Sequence, residues 1–368
     1  MISQDPGGGL GGPIYPVAHA LARLDCARLD SPPPRIAKSI GQSGERISQL
    51  WPWGVYDQNG VVNPGFNEQH WLNVRQWHQS VVDAVTRLGG TVTMPAHVWV
   101  HGTADENDPN HYANMQASRT DLAAITQEFF GPFGQTEPPL WVMTQSGARV
   151  NTSANPWPVI MVQITFAETE TGAVLAAPLY APDITIQDQN VHPDYASTTR
   201  FGELIGWAIS EVRAGRRWTI GQPLITLNGA EVILDYSQWL RPGETLVIAA
   251  DDFYGGVGID IGKGITTATV VDTGTFGAAR WGGPAAALQS VEVINNGTAY
   301  LVTFDVAPSG PLGWELRYAY QMQDMSVADP LHYAHRGLLR TDWGAPSAIL
   351  PGATLRRWLP SWKKEVLN

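Results

Sequence analysis

The sequence predicts an α/β sheet domain over residues 1–216, a β-sandwich or jelly-roll-like module over 217–335, and a C-terminal segment, 336–368, that packs back on the body. Three observations predict it. Up to about residue 215, apolar residues recur alternately at helical and strand spacing, which implies a sheet with helices on both faces. After that, short β-like runs follow one another at regular spacing with Gly and Pro punctuation. The chain has 368 residues, 15 Trp and 10% aromatics, so it has the length and the apolar area for a substantial core.

The elements follow in order. Pro16 opens a helix with Val17, Leu21 and Leu24 on one face. Cys26 lies in this apolar stretch and reads as a buried structural thiol. Residues 36–40, after three prolines, read as a short strand. Trp71, Val74, Trp77, Val81, Val85 and Leu88 recur at helical spacing, and Gly89-Gly90 stops that helix. Residues 92–100 read as a strand with Pro95 inside it. Tyr112, Met115, Leu122, Ile125 and Phe129 mark a long helix. Residues 140–144 and 159–166 read as apolar strands, and 198–213 as a helix. The β-like runs are 224–227, 231–236, 245–249, 267–271, 291–294, 300–306 and 316–320. Asn296-Gly297, between two of them, is a hairpin signal. Residues 355–367 read as a Trp-rich helix.

Composition excludes several classes. Formal net charge is −11, and no basic stripe appears, which argues against a nucleic-acid partner. No apolar run is long enough to span a membrane. A single cysteine excludes an internal disulfide and a Cys-based zinc site. The N-terminus lacks the pattern of a secretory signal. A role outside a cell therefore implies release by lysis or transport as part of a particle. Gly255-Gly256-Val257-Gly258 does not sit between a strand and a helix, so it is no dinucleotide site. Asp251-Asp252 and 105–108 read as solvated loops rather than cation sites.

Three segments are able to carry chemistry. Asp188-Gln189-Asn190-Val191-His192-Pro193 precedes a helix, and a His beside a carboxylate there can serve as general base to a Ser. Taken alone, it reads as a solvated loop. Trp99-Val100-His101-Gly102-Thr103-Ala104-Asp105 ends a strand, where open α/β sheets bind ligands. The plain alternative is a polar turn with Asp105 or Asp108 capping the next helix. Ile40-Gly41-Gln42-Ser43-Gly44-Glu45-Arg46-Ile47 is a Gly-containing turn whose backbone N–H groups can face an oxyanion.

In chain order, the turn at 40–47, the block at 99–105 and the block at 188–193 resemble the blocks of the SGNH (GDSL-like) hydrolases, in particular the sialate O-acetylesterase-like branch that includes versions in phage particles. Later stretches, Leu316-Arg317-Tyr318-Ala319 and 336–342, are similar to the phage versions as well. The resemblance implies a flavodoxin-like three-layer domain and attack by Ser3 on an acetyl ester. His192 would be the base and Asp188 its orienting carboxylate. Gly44 and His101 would bind the oxyanion, with Asp105 in the same block as His101. The chemistry, acyl transfer to water, needs no metal or organic cofactor.

The sequence also departs from the family pattern. His101 stands where the family has Gln, and Thr103 where it has Glu. Asp188 is four residues before His192 instead of three. Two residues precede Ser3, where the family has a strand, so the sequence is expected to start late, to derive from a longer product, or to have lost the block. Two readings follow. One is an esterase acting on acetylated bacterial surface polysaccharide, virion-associated and oligomeric within a particle alongside other virion proteins. The other is a non-catalytic virion structural or glycan-binding protein that retains the fold. At least two-thirds of the Trp residues are expected in the core.

Overall fold

The computed structural model describes residues 14–30, 32–39, 47–50, 67–101, 108–146, 158–179, 181, 193–249, 265–272, 280–281, 285–310, 313–319 and 337–366. It is a mixed α/β structure: one parallel sheet with helices, and antiparallel sheets after it. The helices are α1 (Ile14–Arg28), α2 (Ile47–Leu50), α3 (Glu68–Arg87), α4 (His111–Phe130), α5 (Pro158–Thr169) and α6 (Tyr195–Arg213). The parallel sheet has order β1-β2-β3, with β1 Ala96–Trp99, β2 Leu140–Gln145 and β3 Ala173–Pro178. Each strand pair is bridged by a helix, α4 and then α5, as parallel neighbours require.

The helices begin and end where local chemistry dictates. The Asn67 side chain accepts from the His70 N–H at 3.0 Å and opens α3. Gly89, at φ +63°, turns the chain out of it. Asp194 caps α6 through the Ser197 N–H at 2.7 Å, three residues earlier than the periodicity predicts. Along α1, Val17, Ala20, Leu21 and Asp25 are buried, facing α6. Gly206 makes this contact close: a Cβ there would lie 2.7 Å from the Ala20 Cβ and 3.1 Å from the Val17 carbonyl oxygen. Cys26 projects from the opposite side of α1 and is exposed, which corrects its reading as a buried thiol. The cause is the 100° step per residue: Val17 and Cys26 are nine residues apart and face opposite ways.

Two further expectations are corrected in this half. Residues 159–166 lie within α5, not in a strand. Val159, Ile160, Ile164 and Phe166 are buried in the core and Met161 and Val162 half-buried, and short apolar runs carry no periodicity to separate the two states. Within the parallel sheet, the strand that sequence reading passed over is β3, whose alanines fit beneath α5 and α6. Residues 32–39 have no regular structure, and Ile36 is 61% exposed. Pro32, Pro33 and Pro34 offer no N–H to a neighbouring strand.

Past α6 the strands are β4 (Leu224–Asn228), β5 (Glu231–Asp235), β6 (Leu246–Ile248), β7 (Ile265–Asp272), β8 (Arg280–Trp281), β9 (Leu288–Ile294), β10 (Ala299–Phe304), β11 (Trp314–Tyr318), β12 (Leu339–Pro346), β13 (Thr354–Trp358) and β14 (Trp362–Val366). Among the described residues they form antiparallel sheets of order β4-β5-β10-β9, β14-β11-β7-β8 and β13-β12-β6. The β9–β10 hairpin turns at Asn295, Asn296 and Gly297, all at positive φ, as the Asn-Gly signal predicts. The expected C-terminal helix is instead β13 and β14, which pair with β12 and β11. Pro360 interrupts any helix there, and two strand edges are available to be covered.

One buried cluster runs through both halves, joining Trp141, Ile164 and Phe166 to Tyr236, Tyr300, Leu316 and Trp362. Polar contacts cross the same boundary: the Gln145 amide donates to the Ser361 carbonyl oxygen at 2.8 Å, and Glu203 accepts from the Ala348 N–H at 2.6 Å. Others tie the second half together. The Arg357 guanidinium donates to the Trp218 carbonyl oxygen at 2.8 Å and pairs with Glu244, with both charged side chains nearly out of water. Every Trp whose side chain is described is buried or half-buried, in line with a core role. Among the described residues, no helix is long and apolar enough to cross a membrane.

Candidate active site

The parallel register of β1, β2 and β3 sends the chain out of all three strands at one edge of the sheet. This carboxyl edge is where a ligand crevice forms in open α/β sheets. Of the residues singled out in the sequence, His101 lies here and is described. Ser3, Gly44, Asp105, Asp188 and His192 lie outside the described residues, as does most of the Ile40–Ile47 turn.

His101 follows β1 by two residues. Its ring lies against Trp99, with centroids 5.2 Å apart, and stacks on His111 at 6.2 Å with 7° between planes. Trp99 in turn packs on the buried Trp141 at 4.8 Å. His111, in the first turn of α4, is wholly buried. Burial, with a smaller push from nearby His101, lowers its pKa to about 3, so its imidazole is neutral at physiological pH.

Asp108 braces the start of α4. Its carboxylate accepts from the Asn110 N–H at 2.8 Å and from the Asn114 amide at 3.0 Å, and its carbonyl accepts from the His111 N–H at 3.2 Å. Asp108 is buried, so it is no solvated loop residue. The turn reading of this stretch is supported at Asp108. Among the described residues, no group of His, Cys, Asp and Glu is arranged to hold a metal ion.

Beneath His101 lies a polar cluster that the sequence reading missed. Gln163, on α5, is fully buried. Its Oε1 accepts from the Ser146 N–H at 2.7 Å, and its Nε2 donates to the His101 carbonyl oxygen at 2.7 Å. The Ser146 hydroxyl is 3.3 Å from the same carbonyl. Gln145, also fully buried, donates to the Ile160 and Ser361 carbonyls at 3.1 and 2.8 Å and accepts from the Ser361 N–H at 2.7 Å. The one available signal was a lone Gln within an apolar run. Reading that run as a strand hid its meaning, because only a helix puts Gln163 and Ile160 near the ends of β1 and β2.

The helix after the Asp188–His192 block is also fixed by polar contacts. Glu203, buried in α6, accepts from the Ala348 N–H at 2.6 Å and pairs with the Ser347 hydroxyl. At the far end of α6, Glu211 binds Arg28 at 2.6 Å, Arg216 at 2.7 Å and Arg241 at 3.4 Å. These guanidinium groups, Arg216 first, hold its pKa down to about 2.

No protein-family model matches the chain, and no curated protein matches its sequence. Among solved structures, the chain is similar to a carbohydrate acetylesterase from Xanthomonas citri, with 14% identity and a TM-score of 0.40 over 73% of this chain and 50% of that one; the chain thus spans half the length of the structure it matches.

Proposed function

We propose that the chain is a serine esterase of the SGNH kind, divided at residues 216/217, that removes acetyl groups from a bacterial surface polysaccharide. The observation that best supports this is the polarity of the three-stranded sheet. Its strands all end at one edge, and His101 is held at that edge by Gln163. The other sequence blocks connect to this edge along the chain. Asp188 and His192 lie between the end of β3 at Pro178 and the capped start of α6 at Asp194. The helix after the Ser3 block, α1, lies along α6 in the same direction, with Val17 near Gly206 and Arg28 near Ser210.

In this reading, the Ser3 hydroxyl attacks the acetyl carbonyl while His192 takes its proton and Asp188 orients the imidazole. Backbone N–H groups at Ser3 and Gly44, with the His101 ring, receive the oxyanion. The C–O bond to the sugar breaks, and His192 returns the proton to the leaving alkoxide. Water, deprotonated by His192, then attacks the acetyl carbon. The bond to the Ser3 oxygen breaks, His192 returns the proton to that oxygen, and acetate leaves. The sialate O-acetylesterase-like branch and the virion setting rest on the sequence blocks alone.

Intact-mass spectrometry after treatment with a fluorophosphonate tests the reading. A single adduct on Ser3 is expected, absent in His192→Ala, with ester hydrolysis falling at least about a thousandfold in either Ser3→Ala or His192→Ala. An unlabelled, non-hydrolytic wild-type protein would overturn it. Binding of a surface glycan without turnover would then identify the non-catalytic, glycan-binding form of the same fold.

A further inference from the structure

We propose that Gln163 is the positioning residue for His101, its side-chain amide standing in for the ladder hydrogen bonds that β1 and β2 no longer make beyond Trp99 and Met143. The regular pairing of these strands ends at Trp99↔Met143. Past that point, Gln163 fills the gap in the sense of a peptide group: its oxygen accepts from Ser146 on the β2 side, and its nitrogen donates to His101 on the β1 side, both at 2.7 Å. The Ser146 N–H can only donate and the His101 carbonyl only accept, which fixes which end of the amide faces which strand, and a third bond runs from Nε2 to the Ser146 hydroxyl at 3.2 Å. Gln163 is fully buried and Ser146 nearly so, so water cannot substitute for these bonds without the strand ends moving. The strands can therefore part and open a crevice at their carboxyl edge while the His101 backbone stays fixed. The role in catalysis rests on the reading of His101 as an oxyanion donor; the positioning role does not.

Gln163→Glu separates positioning from general support of the fold. Protonated, the new carboxyl still accepts from the Ser146 N–H and donates to the His101 carbonyl. Ionised, it sets an oxygen against that carbonyl. Burial raises such a carboxyl to about 7–9, so the change occurs near neutrality and within one folded protein. The expected result is an extra pH-dependent step in the His101 ring resonances of Gln163→Glu, followed by NMR with 13C-labelled histidine and assigned by their loss in His101→Gln. This step is absent from wild type and from Gln163→Leu. Ester hydrolysis by Gln163→Glu should fall by on the order of a hundredfold through the same step, and hydrolysis by Gln163→Leu should be low at every pH. His101 resonances in Gln163→Glu that follow the wild-type pH dependence would overturn the proposal. If the resonance step appears in a protein that hydrolyses no ester, the positioning role stands and the esterase reading fails.

Discussion

Lowering the pH from 7 to 5 should remove a substantial part of this protein's stability, and buried histidines set the amount. His97 of β1 is half-buried, with its Nε2 3.1 Å from the Thr126 hydroxyl, and burial, aided by His78, lowers its pKa to about 3. His111 is lowered to about 3 as well. In the unfolded chain both titrate near the ordinary value of about 6.5. Below that value the unfolded state takes up protons that the folded state refuses, so stability is complete above 6.5 and falls as the pH drops toward 3. Linkage gives a loss of about 2 kcal/mol for each histidine between pH 7 and 5, about 4 for the two. His70 and His78 are also lowered by burial and act in the same direction. Asp121, raised to about 6 by burial, acts the other way. Its side chain is half in water, so it returns only a fraction of the loss. A net loss of about 3 kcal/mol would be large against a typical total of 5–15 kcal/mol. Urea unfolding followed by Trp fluorescence at pH 7, 6 and 5 measures it. His97→Gln keeps a donor for Thr126 and should lose about 2 kcal/mol less than wild type over the same range. Equal losses in wild type and variant would refute the assignment of this proton uptake to His97.

Two further predictions concern stability. Arg357→Ala leaves Glu244 buried without its partner and the Trp218 carbonyl without its donor; it should cost about 3–5 kcal/mol, read by chemical denaturation. Gly206→Ala drives a methyl into Ala20 and should lower stability by about 1–3 kcal/mol, with much of the loss regained in the double variant with Ala20→Gly. A lack of coupling between these two sites would show that α1 and α6 separate freely.

Elements with a local signature were legible in the sequence. The stripe from Trp71 to Val85 and the stop at Gly89 define α3, and the Asn-Gly turn defines the β9–β10 hairpin. The misread elements take their state from partners far along the chain. Residues 159–166 are helical because they cross between two parallel strands, and Trp362–Val366 is a strand because Trp314–Tyr318 has an open edge beside it. The candidate site divides in the same way. His101 could be named from its place at a strand end, whereas His111, Gln145 and Gln163 could not, since nothing within a few residues of them announces a polar role.

By itself, the sequence determined an α/β start and a β-rich continuation, a core rich in Trp, and the order of the segments able to carry chemistry. Periodicity and turn chemistry act over a handful of neighbouring residues, so they can be read without the fold. Tertiary structure alone decided that α5 is a helix, that the last strands close two sheets, and that Gln163 reaches across to hold His101. These depend on which groups are left buried and unpaired when distant segments meet. A backbone N–H or carbonyl withdrawn from water must find a partner wherever packing provides one.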